Sequence, residues 1–208
     1  MTEKLSGKLI VGLTGATGTI FGVRLLQILE GTGLETHLVM SKWAARTLLH
    51  ETPYTAEEVQ QMATRYYQPN DQGATISSGS FLTRGMIIAP CSVRTLGAIA
   101  NGMGDNLIHR AADVTLKERR PLVLMVREAP LSEIHLENML KLSRMGVVIM
   151  PPVPAFYNQP QSIDDIVNHV VQRALDQLEI HIDVVGRWDG VMSRGNRSSG
   201  ASKEAESI

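Results

Sequence analysis

The chain is poor in cysteine, in net charge and in long apolar runs. Its 208 residues contain one cysteine, Cys91, so an intrachain disulfide framework and a zinc site of several thiolates are excluded. Lys and Arg number 20 against 21 Asp and Glu, a net charge of -1. A nucleic-acid surface normally needs a local excess of cations, so this balance argues against one.

No apolar run approaches the roughly 20 residues of a transmembrane helix, and the N-terminus lacks the order of a secretory signal. With 43% hydrophobic residues, the composition is typical of a globular chain. We therefore expect a cytoplasmic globular protein. The length predicts one domain over residues 1–188, and the loss of apolar residues after it predicts a disordered tail over 189–208.

Short apolar runs alternate with helical spacing along the chain. Strands are predicted at residues 8–13, 36–40, 86–89, 122–126 and 147–150. A helix is predicted after each, the last over 162–178, while residues 53–72 predict a short capped helix running into a polar loop. This alternation predicts an α/β fold with a doubly wound, Rossmann-like or flavodoxin-like parallel sheet and helices on both faces.

Ligands bind such sheets at the carboxyl ends of the strands. The first of these loops reads Gly12-x-x-Gly15-x-x-Gly18 before a helix, a pattern that indicates either phosphate binding or only a tight turn. The second strand ends in Met40-Ser41-Lys42, where an NAD-binding unit expects an acid. A hydroxyl and an amine there favour a phosphate.

Later strand ends carry further candidates. Cys91-Ser92-Val93-Arg94-Thr95 places hydroxyls at a helix start, for a ligand or for ordinary capping, and we interpret Cys91 as a buried thiol. Arg110 and Lys117 lie on one helix face, to clamp a phosphate or to form a solvated face. Arg127-Glu128 ends an apolar strand with a cation and an acid. The histidines show no metal-ligand spacing, so we expect no metal.

Several segments together resemble the UbiX/Pad-type flavin prenyltransferases over roughly residues 8–188. The resemblance rests on their order and spacing. They are Thr14-Gly15-Ala16-Thr17-Gly18, Ser41-Lys42, Ser77-Ser78-Gly79-Ser80, Pro90-Cys91-Ser92-Val93-Arg94-Thr95-Leu96, Arg110-Ala111-Ala112-Asp113, Leu116-Lys117-Glu118-Arg119-Arg120-Pro121-Leu122, Arg127-Glu128-Ala129-Pro130 and Pro154-Ala155-Phe156-Tyr157.

The resemblance implies cofactor synthesis. A dimethylallyl group from dimethylallyl phosphate is joined to N5 and C6 of reduced FMN, without a metal, and the prenylated FMN serves a UbiD-type aromatic acid decarboxylase. Family members assemble as trimer-based dodecamers with active sites at subunit contacts, so we expect a homo-oligomer. The choice between a phosphate and a pyrophosphate donor, and the aromatic acid pathway served, stay open.

The resemblance also assigns residues. The FMN contacts fall on Gly15, Ala16, Thr17, Ser41, Ser92, Val93, Arg94, Thr95 and Arg127. The prenyl substrate contacts fall on Arg110, Lys117, Tyr157, Arg173 and Trp188. Catalytic roles are implied for Thr17, Glu51, Lys117 and Glu128, with Glu51, Glu128 or the released phosphate taking the final proton.

One position departs from the family pattern, because Thr17 stands where the family usually has serine. The hydroxyl is kept, but the added methyl group restricts its rotamer. Two alternatives accompany this interpretation. One is an FMN-dependent decarboxylase of the phosphopantothenoylcysteine type, and the other is a flavin-binding subunit without activity of its own.

Overall fold

The computed structural model describes residues 5–188 and residue 190. Within them, the strands form one parallel sheet in the order β3-β2-β1-β4-β5-β6. The strands are β1 (Lys8–Leu13), β2 (Glu35–Met40), β3 (Arg65–Tyr67), β4 (Gly85–Cys91), β5 (Leu122–Val126) and β6 (Val148–Ile149). The predicted doubly wound α/β fold is confirmed.

Helices connect these strands and cover both faces of the sheet. They are α1 (Thr19–Leu29), α2 (Lys42–Glu51), α3 (Ala56–Met62), α4 (Val93–Ala100), α5 (Leu107–Lys117), α6 (Glu133–Arg144) and α7 (Ile163–Asp176). A short 3-10 turn, Thr75–Ser77, precedes β4. No helix in the described part of the chain is long and apolar enough to cross a membrane.

The prediction for residues 53–72 is correct for the helix and wrong for the loop. The capping box is present, because Thr55 accepts from the Glu58 backbone N–H while the Glu58 carboxylate accepts from the Thr55 N–H. The segment that follows contains β3, which pairs with β2 at the edge of the sheet. A strand of three residues is too short to display a period of two, so only its pairing with β2 defines it.

Alternate residues of the strands enter two apolar layers. Leu9, Val11 and Leu13 of β1 are buried in the layer that contains α1 and α7. Ile10 of the same strand belongs to the opposite layer, which contains α4 and α5. Both faces of the sheet are therefore covered, as expected for strands that read as continuous apolar runs.

The predicted disordered tail, residues 189–208, lies outside the described residues apart from Gly190. The extent of the single domain, residues 1–188, stays a prediction.

Helix α1 approaches the sheet closely at Gly22. A Cβ atom at this position would lie 2.5 Å from the backbone oxygen of Ala89 and 2.8 Å from the Leu13 side chain. We expect Gly22→Ala to lower the free energy of unfolding by about 1–3 kcal/mol, because the overlap outweighs alanine's higher helix propensity. Urea unfolding measures this change.

Gly97 on α4 is the matched control, because a Cβ atom there would first meet Asn138 Nδ2 at 3.6 Å, an ordinary contact. Gly97→Ala should leave stability unchanged or raise it by up to about 1 kcal/mol. Equal losses in the two variants would contradict the proposed close approach.

Candidate active site

A cavity of about 570 Å³ lies at the carboxyl edge of the sheet. Strand order reverses there, since β1 lies between β2 and β4 while the chain connects β1 to β2. The carboxyl ends of parallel strands at such a reversal form the usual ligand crevice of this fold class. The cavity is lined by Thr14, Gly15, Ala16, Thr17, Ser41, Trp43, Ser92, Val93, Arg94, Thr95, Asn106, His109, Arg127 and Glu128.

Hydrogen bonds join the strand ends below the cavity. The Thr14 hydroxyl donates to the Pro90 carbonyl oxygen at 2.8 Å and accepts from the Ser92 N–H at 2.8 Å. The Ser41 N–H donates to the Leu13 oxygen, and the Arg127 N–H donates to the Cys91 oxygen, each at 3.0 Å. The loops after β1, β2, β4 and β5 are thus held in register with one another.

Gly15 allows the first loop to rest directly on α2. A Cβ atom at Gly15 would lie 2.4 Å from the Trp43 Cβ, so a larger residue would push the loop away from the helix. The Trp43 ring is exposed at the cavity and lies under the guanidinium of Arg46, 5.0 Å from it. Gly15 therefore brings an aromatic wall to the site.

Two helices begin at the cavity with serine caps. Ser41 Oγ accepts from the Ala44 N–H at 3.0 Å, and Ser92 Oγ accepts from the Thr95 N–H at 3.3 Å. The capping alternative considered for residues 92–95 is therefore correct, and Ser41, which was interpreted as favouring a phosphate, is a helix cap as well. Capping does not remove them from the site, because Ser41, Ser92 and Thr95 also line the cavity, where the positive ends of the α2 and α4 dipoles favour an anion.

Glu51, at the end of α2, is hydrogen-bonded to the start of α1. Its Oε2 accepts from the N–H groups of Gly18 at 2.9 Å and Thr19 at 3.1 Å, and from the Thr19 hydroxyl at 3.0 Å. Partial burial acts to raise the pKa of Glu51, but hydrogen bonds from Thr17, Gly18 and Thr19 outweigh it and lower the pKa. The carboxylate at the C-terminal end of α2 therefore caps α1, whose own cap, Gly18, has no side chain.

The end of β5 contributes Arg127 and Glu128 to the cavity. Glu128 Oε1 accepts from the N–H of Ala129 at 3.0 Å. Cys91, at the end of β4, is fully buried, and burial raises the pKa of its thiol. A buried, protonated thiol is unreactive, in agreement with its interpretation as a packing residue.

Sequence reasoning missed Trp43, Asn106 and His109 as lining residues. Asn106 is the N-cap of α5, and its Oδ1 accepts from the His109 N–H at 3.0 Å. His109 is buried, and its Nδ1 has no hydrogen-bond partner among the described residues. Their position in the chain was the signal that could have identified them, because each lies at or just after the start of a helix that begins at the carboxyl edge.

Arg110 and Lys117 do not line the cavity. Arg110 is paired with Asp113 at 2.8 Å and donates to the Ser77 oxygen at 3.2 Å. Lys117 is paired with Glu118. Both cations on α5 are therefore engaged near the segment 77–80 within one chain.

Tyr157, Arg173 and Trp188 also lie outside the cavity lining, in a cluster at α7. The Tyr157 and Trp188 rings meet edge to face with centroids 5.7 Å apart. Arg173 pairs with Asp176 at 3.1 Å. The residues that the resemblance connects to FMN thus come together in one cavity, whereas those that it connects to the prenyl substrate lie in two other places.

Known proteins resemble this chain over most of its length. The Flavoprotein family model matches residues 1–175. A probable UbiX-like flavin prenyltransferase of Bacillus subtilis (strain 168) is 60% identical over 184 residues, covering 88% of this chain and 90% of the relative. The chain belongs to the UbiX-like flavin prenyltransferase family.

Two crystal structures show the same fold as this flavin prenyltransferase. One is a dodecameric FMN-dependent UbiX-like decarboxylase from Escherichia coli O157:H7, with 60% identity, a TM-score of 0.86, and coverage of 88% of this chain and 100% of that one. The other is AnUbiX (PadA1) in complex with FMN and dimethylallyl pyrophosphate, with 49% identity, a TM-score of 0.89, and coverage of 90% and 100%.

The cavity of this flavin prenyltransferase fits FMN in size and in chemistry. Arg94 and Arg127 supply positive charge, and the two serine-capped helix N-termini supply backbone N–H groups. Pockets of this volume commonly hold a ligand of FMN's size. Among the residues described, no group of three or more His, Cys, Asp or Glu side chains is arranged to bind a metal ion.

The role of Glu51 as a cap is testable through its pH dependence. Its lowered pKa means that the ionised form stabilises the fold above pH about 4.5 and that this contribution is lost as the pH falls through the folded-state pKa. We expect Glu51→Gln to lower the free energy of unfolding at pH 7 by about 1 kcal/mol, a value limited by solvent screening at this exposed site.

Urea unfolding at pH 7 and at progressively lower pH measures the difference between the wild type and Glu51→Gln. The difference should shrink below pH 4.5, as the wild-type carboxylate becomes protonated. Glu179→Gln serves as the control, because Glu179 is exposed in the segment after α7 and lies at no helix N-terminus. A pH-independent difference would contradict the capping role.

Proposed function

We propose that this chain transfers the dimethylallyl group of dimethylallyl phosphate to reduced FMN, forming bonds at flavin N5 and C6. The observation that carries the proposal is the convergence of Gly15, Ala16, Thr17, Ser41, Arg127 and residues 92–95 on one cavity. The relative AnUbiX (PadA1), crystallised with FMN and dimethylallyl pyrophosphate, supports the substrate class. The product would serve a UbiD-type aromatic acid decarboxylase in the cytoplasm.

The cavity residues would hold and orient FMN. The N-termini of α2 and α4, capped by Ser41 and Ser92, offer backbone N–H groups to anionic or carbonyl oxygens of FMN. Arg94 and Arg127 would balance its negative charge. Trp43 and the loop at Thr17 would exclude water from one side, and the bound flavin would supply the nucleophilic positions.

Departure of the prenyl phosphate needs positive charge and hydrogen-bond donors near its oxygens. Arg110, Lys117, Arg173 and the Tyr157 hydroxyl are residues of the required type. They would stabilise the leaving phosphate without a metal, and Trp188 would shelter the allylic cation with its ring face.

Restoring the aromatic ring requires a proton acceptor. Glu51 is a weak candidate, because its carboxylate is already hydrogen-bonded to Gly18 and Thr19 and its pKa is lowered. Its role would be to position the loop that carries Thr17. Glu128, which lines the cavity, and the released phosphate are the stronger candidates for the base.

The separation of the prenyl-substrate residues from the cavity leads us to propose that the site is completed by neighbouring subunits. Helix α6 supports this assembly, because its apolar side chains Ile134, Leu136 and Leu140, followed by Met145, are exposed in the single chain. Such a surface is typical of a subunit interface. The E. coli relative is dodecameric, and we propose a trimer-based dodecamer here.

The transferase activity predicts a change in the mass of the flavin. Incubation of the pure protein with reduced FMN and dimethylallyl phosphate under anaerobic conditions should raise the flavin mass by one C5H8 unit, measured by mass spectrometry of the extracted flavin. A parallel reaction with dimethylallyl pyrophosphate identifies the preferred donor.

Reactions without protein, and with oxidised FMN, are the controls. An unchanged flavin mass with both donors would overturn the proposal and favour a non-catalytic flavin-binding subunit. Turnover of phosphopantothenoylcysteine by the protein loaded with oxidised FMN would instead favour the decarboxylase alternative, because that reaction begins with oxidation of the substrate by the flavin.

If the chain assembles as proposed, light scattering at micromolar concentration should give a particle mass much larger than the 22.8 kDa of one chain. Leu140→Glu should reduce its mass, because a charge at the centre of the α6 face is costly to bury. Ile163→Glu is the matched control, since Ile163 is exposed at the start of α7, where an acid is favourable for the helix. A wild-type monomer would contradict the proposal.

A further inference from the structure

His169 connects the irregular segment before α7 to the helix itself. Tyr157 lies in that segment with 54% of its surface exposed. Its hydroxyl oxygen lies 2.8 Å from His169 Nε2, on a residue that is only 9% exposed. A half-exposed side chain in a loop is therefore anchored by a buried imidazole on a helix.

The rings around Tyr157 restrict it further. Tyr157 and His169 meet edge to face with centroids 5.6 Å apart and an interplanar angle of 83°. Trp188 packs against Tyr157 at a similar angle of 78°. The two ring contacts hold the plane of the phenol, and the hydrogen bond to Nε2 determines where the hydroxyl lies.

Arg173 belongs to the same arrangement. It follows His169 by one helical turn, so both side chains project from one face of α7. Arg173 is half exposed and holds Asp176 at 3.1 Å. The hydroxyl and the guanidinium that the proposed function connects to the prenyl phosphate are thus both linked to this face of α7.

The protonation of His169 decides what the Tyr157 hydroxyl can do. Burial, followed by the charge of Arg173, lowers the pKa of His169, so the imidazole is neutral at pH 7 and carries one N–H. If Nε2 carries that hydrogen, it donates to the Tyr157 oxygen and leaves the phenolic hydrogen free. An anion beside the hydroxyl favours this arrangement, because the free O–H then donates to the anion.

We propose that His169 is a positioning residue for the prenyl phosphate, which orients the Tyr157 hydroxyl as a hydrogen-bond donor toward a phosphate oxygen. The proposal rests on the proposed function, in which Tyr157 contacts that phosphate. No bond is made or broken at His169. Its contribution is to hold the phenol oxygen in place and to occupy its acceptor position, so that one O–H direction remains.

Binding of dimethylallyl phosphate to protein loaded with oxidised FMN, measured by calorimetry, isolates this effect from catalysis. His169→Phe keeps an aromatic ring but removes the hydrogen bond, and we expect about three- to tenfold weaker binding, the range of one net hydrogen bond. His169→Gln, whose side-chain amide N–H can donate to the Tyr157 oxygen, should recover most of the affinity.

A double-mutant cycle separates positioning from general packing. Tyr157→Phe should weaken binding by a similar factor, and adding His169→Phe to Tyr157→Phe should have no further effect. The same pattern is expected in KM with reduced FMN, while the affinity for FMN stays at the wild-type value. If His169→Phe does not fold, His169→Leu replaces it in the cycle.

Unchanged binding in both His169→Phe and His169→Leu would overturn the positioning role. So would effects that multiply in the double variant, or a failure of His169→Gln to recover affinity while its thermal unfolding matches the wild type. These outcomes are distinct from failure of the proposed function, in which the wild-type protein transfers no dimethylallyl group to reduced FMN.

Discussion

The site depends on the reversal of strand order between β1 and β4. The chain leaves β1 toward β2 on one side, and it returns to pair β4 with β1 on the other side. No connection therefore covers the carboxyl ends of β1 and β4, and a crevice remains there. Thr14 holds the strand ends at the base of this crevice together, because its hydroxyl donates to the Pro90 oxygen and accepts from the Ser92 N–H. The loops that we propose to bind FMN are positioned by these hydrogen bonds.

Helix N-termini around the crevice are satisfied in two different ways. At α1, the carboxylate of Glu51 accepts the free N–H groups of Gly18 and Thr19, so the protein itself supplies the anion. At α2 and α4, the neutral hydroxyls of Ser41 and Ser92 cap one N–H each and leave the helix dipole uncompensated by charge. An anionic ligand is therefore directed to α2 and α4 and away from α1.

The two substrates make different demands on the chain. FMN is large and polar, and the loops of one sheet edge in one chain provide a cavity of the right size for it. A prenyl phosphate needs concentrated positive charge, and the candidate residues for it are placed on α5 and around α7. Within one chain, those residues are engaged in local pairs such as Arg110 with Asp113 and Arg173 with Asp176. In the assembly that we propose, association of chains would bring the two sets of residues together.

Local sequence patterns predicted five of the six strands of the described sheet, the helices that follow them and the strand-end loops that line the cavity, whereas the assignment of those loops to FMN came from the family resemblance. Lys8–Leu13, Val93–Ala100 and Leu122–Val126 were predicted from apolar runs, caps and turns within a few residues. Tertiary structure alone decided the pairing of β3 with β2, the capping of α1 by Glu51 and the hydrogen bond between Tyr157 and His169. Each joins segments whose approach depends on how the sheet and helices pack, and no local pattern carries that information.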